Sequence, residues 1–222
     1  MKKAFWAFGI LAFLGTTSAM AADVKTIAAP AAFDWTGGYL GLEGGADLLN
    51  SQWSSPTNLY APFNTNGTGL AVGGVIGYRK QTNNNLVIGA ELSGDWLSTL
   101  GQANCKGTIP TCNTGQDFLG LAQFNIGRAS GNVHYYVGGG AALGDFQYNE
   151  TVSLAQSWTG GMRLGWTLGV GADFALSNQW QAGLRYNYYD FGTQSNGGGI
   201  SPTVVNFQEN GHLVTIRLEH KF

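Results

Sequence analysis

The last residues of the chain alternate in character. His212, Val214, Ile216, Leu218, His220 and Phe222 form one series, and Thr215, Arg217, Glu219 and Lys221 form the other. A period of two predicts a strand whose two faces meet different surroundings. The same signature recurs upstream from Trp35. It predicts strands at 35 to 46, 67 to 81, 86 to 98, 116 to 129, 133 to 145, 158 to 176, 180 to 191 and 210 to 222, bounded by Gly, Asn, Ser and Pro clusters. These segments make eight strands, the even number that a closed single-chain barrel requires.

The connections alternate in length as well. Thr82 to Asn85, Ser130 to Asn132 and Ser177 to Gln179 read as tight polar turns, whereas Asp47 to Asn66, Thr99 to Gly115, Phe146 to Ser157 and Gly192 to Glu209 read as long loops. Short periplasmic turns and long extracellular loops belong to transmembrane barrels. One parity collects Leu70, Val72, Ile76, Leu92, Phe124, Leu164, Leu168 and Leu184 as a lipid belt, with Tyr78, Tyr135, Phe174, Trp180 and Phe222 as an aromatic girdle at the short-turn end. The expected fold is all-β, an eight-stranded antiparallel transmembrane barrel over 35–222 with four long extracellular loops.

The opposite parity carries the charges: Glu43, Arg79, Glu91, Asp95, Arg163, Asp173, Arg185, Arg217, Glu219 and Lys221. One Arg or Lys facing lipid at the midplane costs about 2–4 kcal/mol, so these groups are assigned to the lumen, acids and bases in equal number. Eight strands enclose a space that side chains fill. The expectation is therefore a plugged lumen with a salt-bridge network.

Composition and the amino terminus fit this picture. Glycine is 35 of 222 residues and charged residues only 11%, which small interior positions and an uncharged outer wall explain. The net charge of −2 and the lack of a basic run exclude a nucleic-acid partner. Lys2 and Lys3, an apolar run from Ala4 to Leu14 and Ala19-Met20-Ala21 predict an export signal over 1–21, cleaved after Ala21, followed by a periplasmic linker over 22–34. The apolar run is too short to span a bilayer as a helix.

Little catalytic chemistry is legible. His134, His212 and His220 are the three histidines, with neither zinc spacing nor a serine in register, so no catalytic, metal or cofactor residue is assigned. Cys105 and Cys112 flank Pro110 in one predicted loop, and in an oxidising compartment they are expected to close a disulfide.

Four motifs in order resemble the small porin-like outer-membrane proteins of alphaproteobacteria, within the wider opacity-type barrel family. They are Phe33-Asp34-Trp35-Thr36-Gly37-Gly38-Tyr39-Leu40-Gly41, Gly165-Trp166-Thr167-Leu168-Gly169-Val170-Gly171, Tyr186-Asn187-Tyr188-Tyr189-Asp190-Phe191-Gly192 and the terminal Glu219-His220-Lys221-Phe222. The family includes major surface antigens and haem-binding members. The resemblance implies a bacterial outer-membrane location, outer-membrane lipids and the barrel assembly machinery as partners, Phe222 as the assembly signal, and loops offered to a host or environmental ligand. The chain departs from the pattern at His220, where an aromatic is usual, and at Arg185, where an acid is usual; the second implies a rearranged interior pairing. The expected role is structural and surface-exposed, not enzymatic, with a small-solute porin or a haem-binding surface protein as alternatives. Deleting Phe222 is expected to reduce outer-membrane insertion, measured as the folded fraction in membranes.

Overall fold

The computed structural model describes residues 33–55, 62–104, 111–151, 156–197 and 204–222. The expected signal peptide, most of the linker and Cys105 lie outside these residues. Nine strands run in chain order: β1 (Gly37–Ser54), β2 (Phe63–Asn64), β3 (Gly67–Gln81), β4 (Leu86–Ala103), β5 (Thr111–Ser130), β6 (Val133–Thr151), β7 (Gln156–Ala175), β8 (Trp180–Gly197) and β9 (Val204–Lys221). Each long strand pairs antiparallel with the next, and β1 closes on β9 from Tyr39↔Lys221 to Ser54↔Asn206. The wall is therefore an eight-stranded closed barrel, with two-residue β2 added beside Gln52 and Trp53 of β1. Closure leaves the long strands no free edge, so backbone donors and acceptors are met within the wall.

The turns at one end are tight for local reasons. The Thr82 amide bonds the Leu86 carbonyl at 2.8 Å and Asn85 takes a φ of 63° to reverse the chain. Gly131, at φ 59°, turns β5 into β6, a conformation that glycine adopts without a Cβ clash. The Ser177 hydroxyl accepts from the Trp180 amide at 3.1 Å between β7 and β8.

Alternation runs along the long strands where they cross the apolar belt. Leu42, Leu70, Val72, Phe124, Leu164 and Ile216 are exposed on the outer wall, as are the girdle residues Tyr78, Tyr135, Phe174, Trp180 and Phe222 at the short-turn end. His220 joins that girdle, its ring edge-on to Trp180 with centroids 5.0 Å apart. The imidazole thus occupies the usual aromatic place with an aromatic contact.

The strands run further than the pattern predicts at the long-loop end. β1 continues eight residues beyond the expected end at 46, to Ser54, and β4, β6, β8 and β9 are extended likewise. The register shifts at Trp96/Thr99, Gln116/Phe118, Phe146/Tyr148 and Asp190/Gly192 stand close to the expected boundaries at 98, 116, 145 and 191. In β5 the extra residue Asp117 shifts the inward series from Cys112, Thr114 and Gln116 to Leu119, Leu121 and Gln123, so the sequence reads as though the strand began there. Beyond the bulges the wall no longer needs apolar residues, and Asn, Gln, Ser and Thr carry the ladder onward.

Candidate functional site: the barrel interior

Inward side chains from all eight long strands meet in the lumen in successive levels. Nearest the short turns, Arg79 of β3 reaches Asp173 of β7 and Glu219 of β9, each at 3.0 Å, and donates to Gln181 at 2.7 Å. Its guanidinium lies 3.9 Å from the Tyr39 ring centroid. His134 stacks on Tyr136 with centroids 4.9 Å apart and faces Asp173 at 3.5 Å. Below this level Trp35 and Phe33 pack with Val87 and Ala129, closing that end. The Trp35 amide donates to the Gln81 side chain at 2.9 Å, so the chain entering β1 seals the barrel, and Phe33 belongs to the packed body. Asp34 sits just outside; the Thr36 amide, 2.9 Å away, holds its carboxyl below the ordinary value.

The middle level is organised by Glu91. Arg217 grips both its oxygens at 3.0 Å, Arg185 pairs with one of them, and the Tyr39 hydroxyl donates to the other at 2.6 Å. Arg217 also donates through Nε to Glu43 at 2.8 Å. Arg185 continues to Gln123 and Asn125, and Gln123 donates to Asn187 at 3.0 Å. The arginine at the usual acidic position is thus served by Glu91 from the opposite wall.

Higher up, Asp47 accepts from Thr99 at 2.7 Å and Tyr189 at 2.8 Å, and Glu209 accepts from Arg163 at 2.7 Å and Ser51 at 2.8 Å. Arg163 is ringed by Phe146, Tyr148 and Phe207 at 5.0–5.9 Å from its guanidinium carbon. Trp53 packs edge-on against Phe207 and donates to Thr114 at 2.9 Å. This aromatic lid fills the lumen at the long-loop end.

Glycine makes these contacts sterically feasible. Tyr39 and Glu91 stand on β1 and β4, opposite the same β3 residue, Gly77, and meet over it; a Cβ there would fall on the Tyr39 hydroxyl. Glu43 and Asp95 flank Gly73 in the same way, and Asp47 reaches Thr99 beside Gly69. Three glycines at intervals of four, set between acidic or hydroxyl-bearing positions at the same interval, form one device repeated along the barrel axis.

Nine of the ten lumen-assigned charges lie buried inside: Glu43, Arg79, Glu91, Asp95, Arg163, Asp173, Arg185, Arg217 and Glu219. Lys221 instead stands half-exposed at the rim, its ammonium on the Asp34 carbonyl oxygen and 4.9 Å from the Phe33 ring centroid. Asp47 and Glu209, expected in loops, are fully buried on the inward parity of the extended strands. The balance is consequently unequal: seven buried carboxyl groups against four arginines among the described residues. The surplus concentrates beside Glu43, where Glu43 Oε1 and both Asp95 oxygens lack a hydrogen-bond donor. Asp95→Asn gives Glu43 an amide donor and removes the facing acid. It is expected to raise folded-state stability by about 1–2 kcal/mol, measured as a higher urea midpoint for unfolding in detergent.

Cys112 is fully buried within the outer cluster, and the expected pairing with Cys105 falls outside the described residues. His212, half-buried on the outer wall, shares a 2.8 Å hydrogen bond with Tyr186.

A closed antiparallel wall with an apolar outside and a charged, filled inside is the architecture of a membrane-spanning barrel. Residues 9–208 match the family described as outer membrane protein beta-barrel domain. The chain belongs to that barrel family. A 31 kDa outer-membrane immunogenic protein of Brucella melitensis biotype 1 is 30% identical over 235 residues, spanning 96% of this chain and 97% of its own. The protein of the same name from Brucella suis biovar 1 is 30% identical over the same span. In fold, the chain resembles the outer membrane protein OprG of Pseudomonas aeruginosa, with a TM-score of 0.54 at 12% identity, over 86% of this chain and 98% of that one. For a barrel of this family the short turns are periplasmic and the long loops extracellular.

Proposed function

We propose that this barrel is a non-enzymatic structural protein of the outer membrane that presents its long loops at the cell surface, without a conducting pore. The filled lumen carries the reading: Glu91, Arg185 and Arg217 bridge the wall at mid-height, Arg79 bridges it nearer the short turns, and the Trp35 and Trp53 clusters occupy its two ends. The name of the Brucella relatives, an immunogenic protein, supports exposure of the loops. No cofactor enters the reading, since the three histidines each lie against aromatic rings. Loops on a rigid scaffold are where recognition of a host or environmental ligand would reside.

Planar-bilayer recording tests this. The folded protein is expected to insert without discrete current steps, whereas reproducible steps of one size would favour the small-solute porin. The proposal includes a Cys105–Cys112 disulfide closing one extracellular loop. Maleimide should then label the chain only after reduction, and labelling without reductant would remove the bond from the account.

A further inference from the structure

Charge on the outer wall is divided between its two ends. Near the short turns the outward charges carried by the wall strands among the described residues are Lys80 of β3 and Arg128 of β5, both exposed, while the exposed Asp34 before β1 lies beside Lys221 at the rim. Near the long loops they are Asp117, Asp145 and Asp190. Lys80 and Arg128 have no acid partner among the described residues, although buried carboxylates abound inside the wall. A cation held at the membrane interface without a protein anion favours an anion from the lipid.

Arg128 also has a groove beside it. It stands across from Leu86 on β4 and Tyr135 on β6. From there a groove of about 510 Å³ runs along Ile126, Val137 and Val170. A second apolar groove of about 530 Å³ continues from those three residues past Gly139 and Leu168. The polar end therefore sits at headgroup depth, level with the tyrosine girdle, and the apolar part extends toward the bilayer centre. That sequence of surfaces, cation then phenol then aliphatic furrow, matches a phosphate followed by an acyl chain.

We infer that the outer wall binds one anionic glycerophospholipid of the inner leaflet, its phosphate on Arg128 with Lys80 two strands away and one acyl chain in the furrow past Ile126, Val137 and Val170. The occupant is an inner-leaflet lipid because both cations stand at the periplasmic end, whereas the outward charges of the outer-leaflet end are acidic and would repel a phosphate. A second copy of the chain fits less well, since two such faces would bring Arg128 and Lys80 of each copy against like charges.

Native mass spectrometry of the folded full-length chain, with equimolar phosphatidylglycerol and phosphatidylcholine of identical chains, tests the site. One phosphatidylglycerol is expected to be retained per chain, favoured roughly fivefold over phosphatidylcholine, the factor one interfacial cation supplies. R128Q should bring the two lipids near parity, R128K should keep most of the preference, and K80Q should lower it by a smaller factor. D117N, at the opposite end, should leave it unchanged. Each exposed substitution is first checked for the compact folded band on an unheated gel, and K80Q alone carries the test if R128Q does not fold. Equal retention of the two lipids by the native chain, an R128Q preference equal to native, or a dimer of the chain in place of the lipid adduct would overturn the proposal. So would lipopolysaccharide displacing phosphatidylglycerol through Arg128.

Discussion

Arg217→Met should cost the barrel about 3–5 kcal/mol of stability, more than any other single loss of charge inside it. Among the described residues Arg217 is the one side chain that contacts Glu91, Glu43 and Glu219, at 3.0, 2.8 and 3.6 Å. The network is already short of positive charge, with seven buried carboxyl groups and four arginines among the described residues. Removing Arg217 leaves Glu43 the Thr215 hydroxyl at 3.1 Å but no cation among the described residues, its second oxygen lacking a donor beside Asp95, and leaves Glu91 to Arg185 and Tyr39. Methionine fills much of the volume, so the loss reports charge and not a cavity. The measurement is the urea midpoint for converting the compact form to the unfolded one. An unchanged midpoint would mean that the interior charges are individually dispensable.

A second large effect separates two glycines three residues apart on β3. Gly77 faces inward, beneath the Tyr39–Glu91 hydrogen bond, and any Cβ there falls on the Tyr39 hydroxyl. Gly74 faces outward, and its Cβ would meet nothing nearer than the Gly41 carbonyl oxygen at 3.4 Å. Gly77→Val is therefore expected to break that bond, push Tyr39 from beneath Arg79 and prevent a compact barrel, an effect of several kcal/mol when a buried carboxylate loses partners. Gly74→Val should fold as well as the native chain, because valine suits a strand and lipid accepts its methyls. The check is the folded fraction of each variant after refolding into lipid, read by gel mobility. Equal behaviour of the two would contradict the assigned faces.

The residues show what the sequence could and could not disclose. Period-two alternation was readable wherever a strand crosses the membrane, because lipid forbids charge on one side and closure places the charged positions on the other. It identified Glu43, Glu91, Arg185 and Arg217 as one inward set without knowledge of their partners. Asp47 and Glu209 escaped because they lie at the long-loop ends of β1 and β9, beside polar segments that read as loops. Their parity was nonetheless continuous with Tyr39 and Glu43 on β1 and with Leu213, Thr215 and Arg217 on β9. Lys221 obeyed the parity yet lies at the rim, since the wall ends there and Phe33 and Asp34 fold under it. The meetings over Gly77 and Gly73 were illegible from any one strand, because they depend on the register of three strands together.

Tryptophan quenching in lipid examines the central claim most directly, since it reports the apolar wall and the filled lumen in one measurement. In single-tryptophan variants, Trp96 is 73% exposed on the wall and Trp53 is 1% exposed in the lumen. Brominated acyl chains should quench Trp96 strongly, while neither they nor aqueous acrylamide should quench Trp53. Trp53 emission quenched by acrylamide as readily as a free indole, or Trp96 emission indifferent to brominated lipid, would contradict a barrel closed by its own side chains with this face toward the membrane.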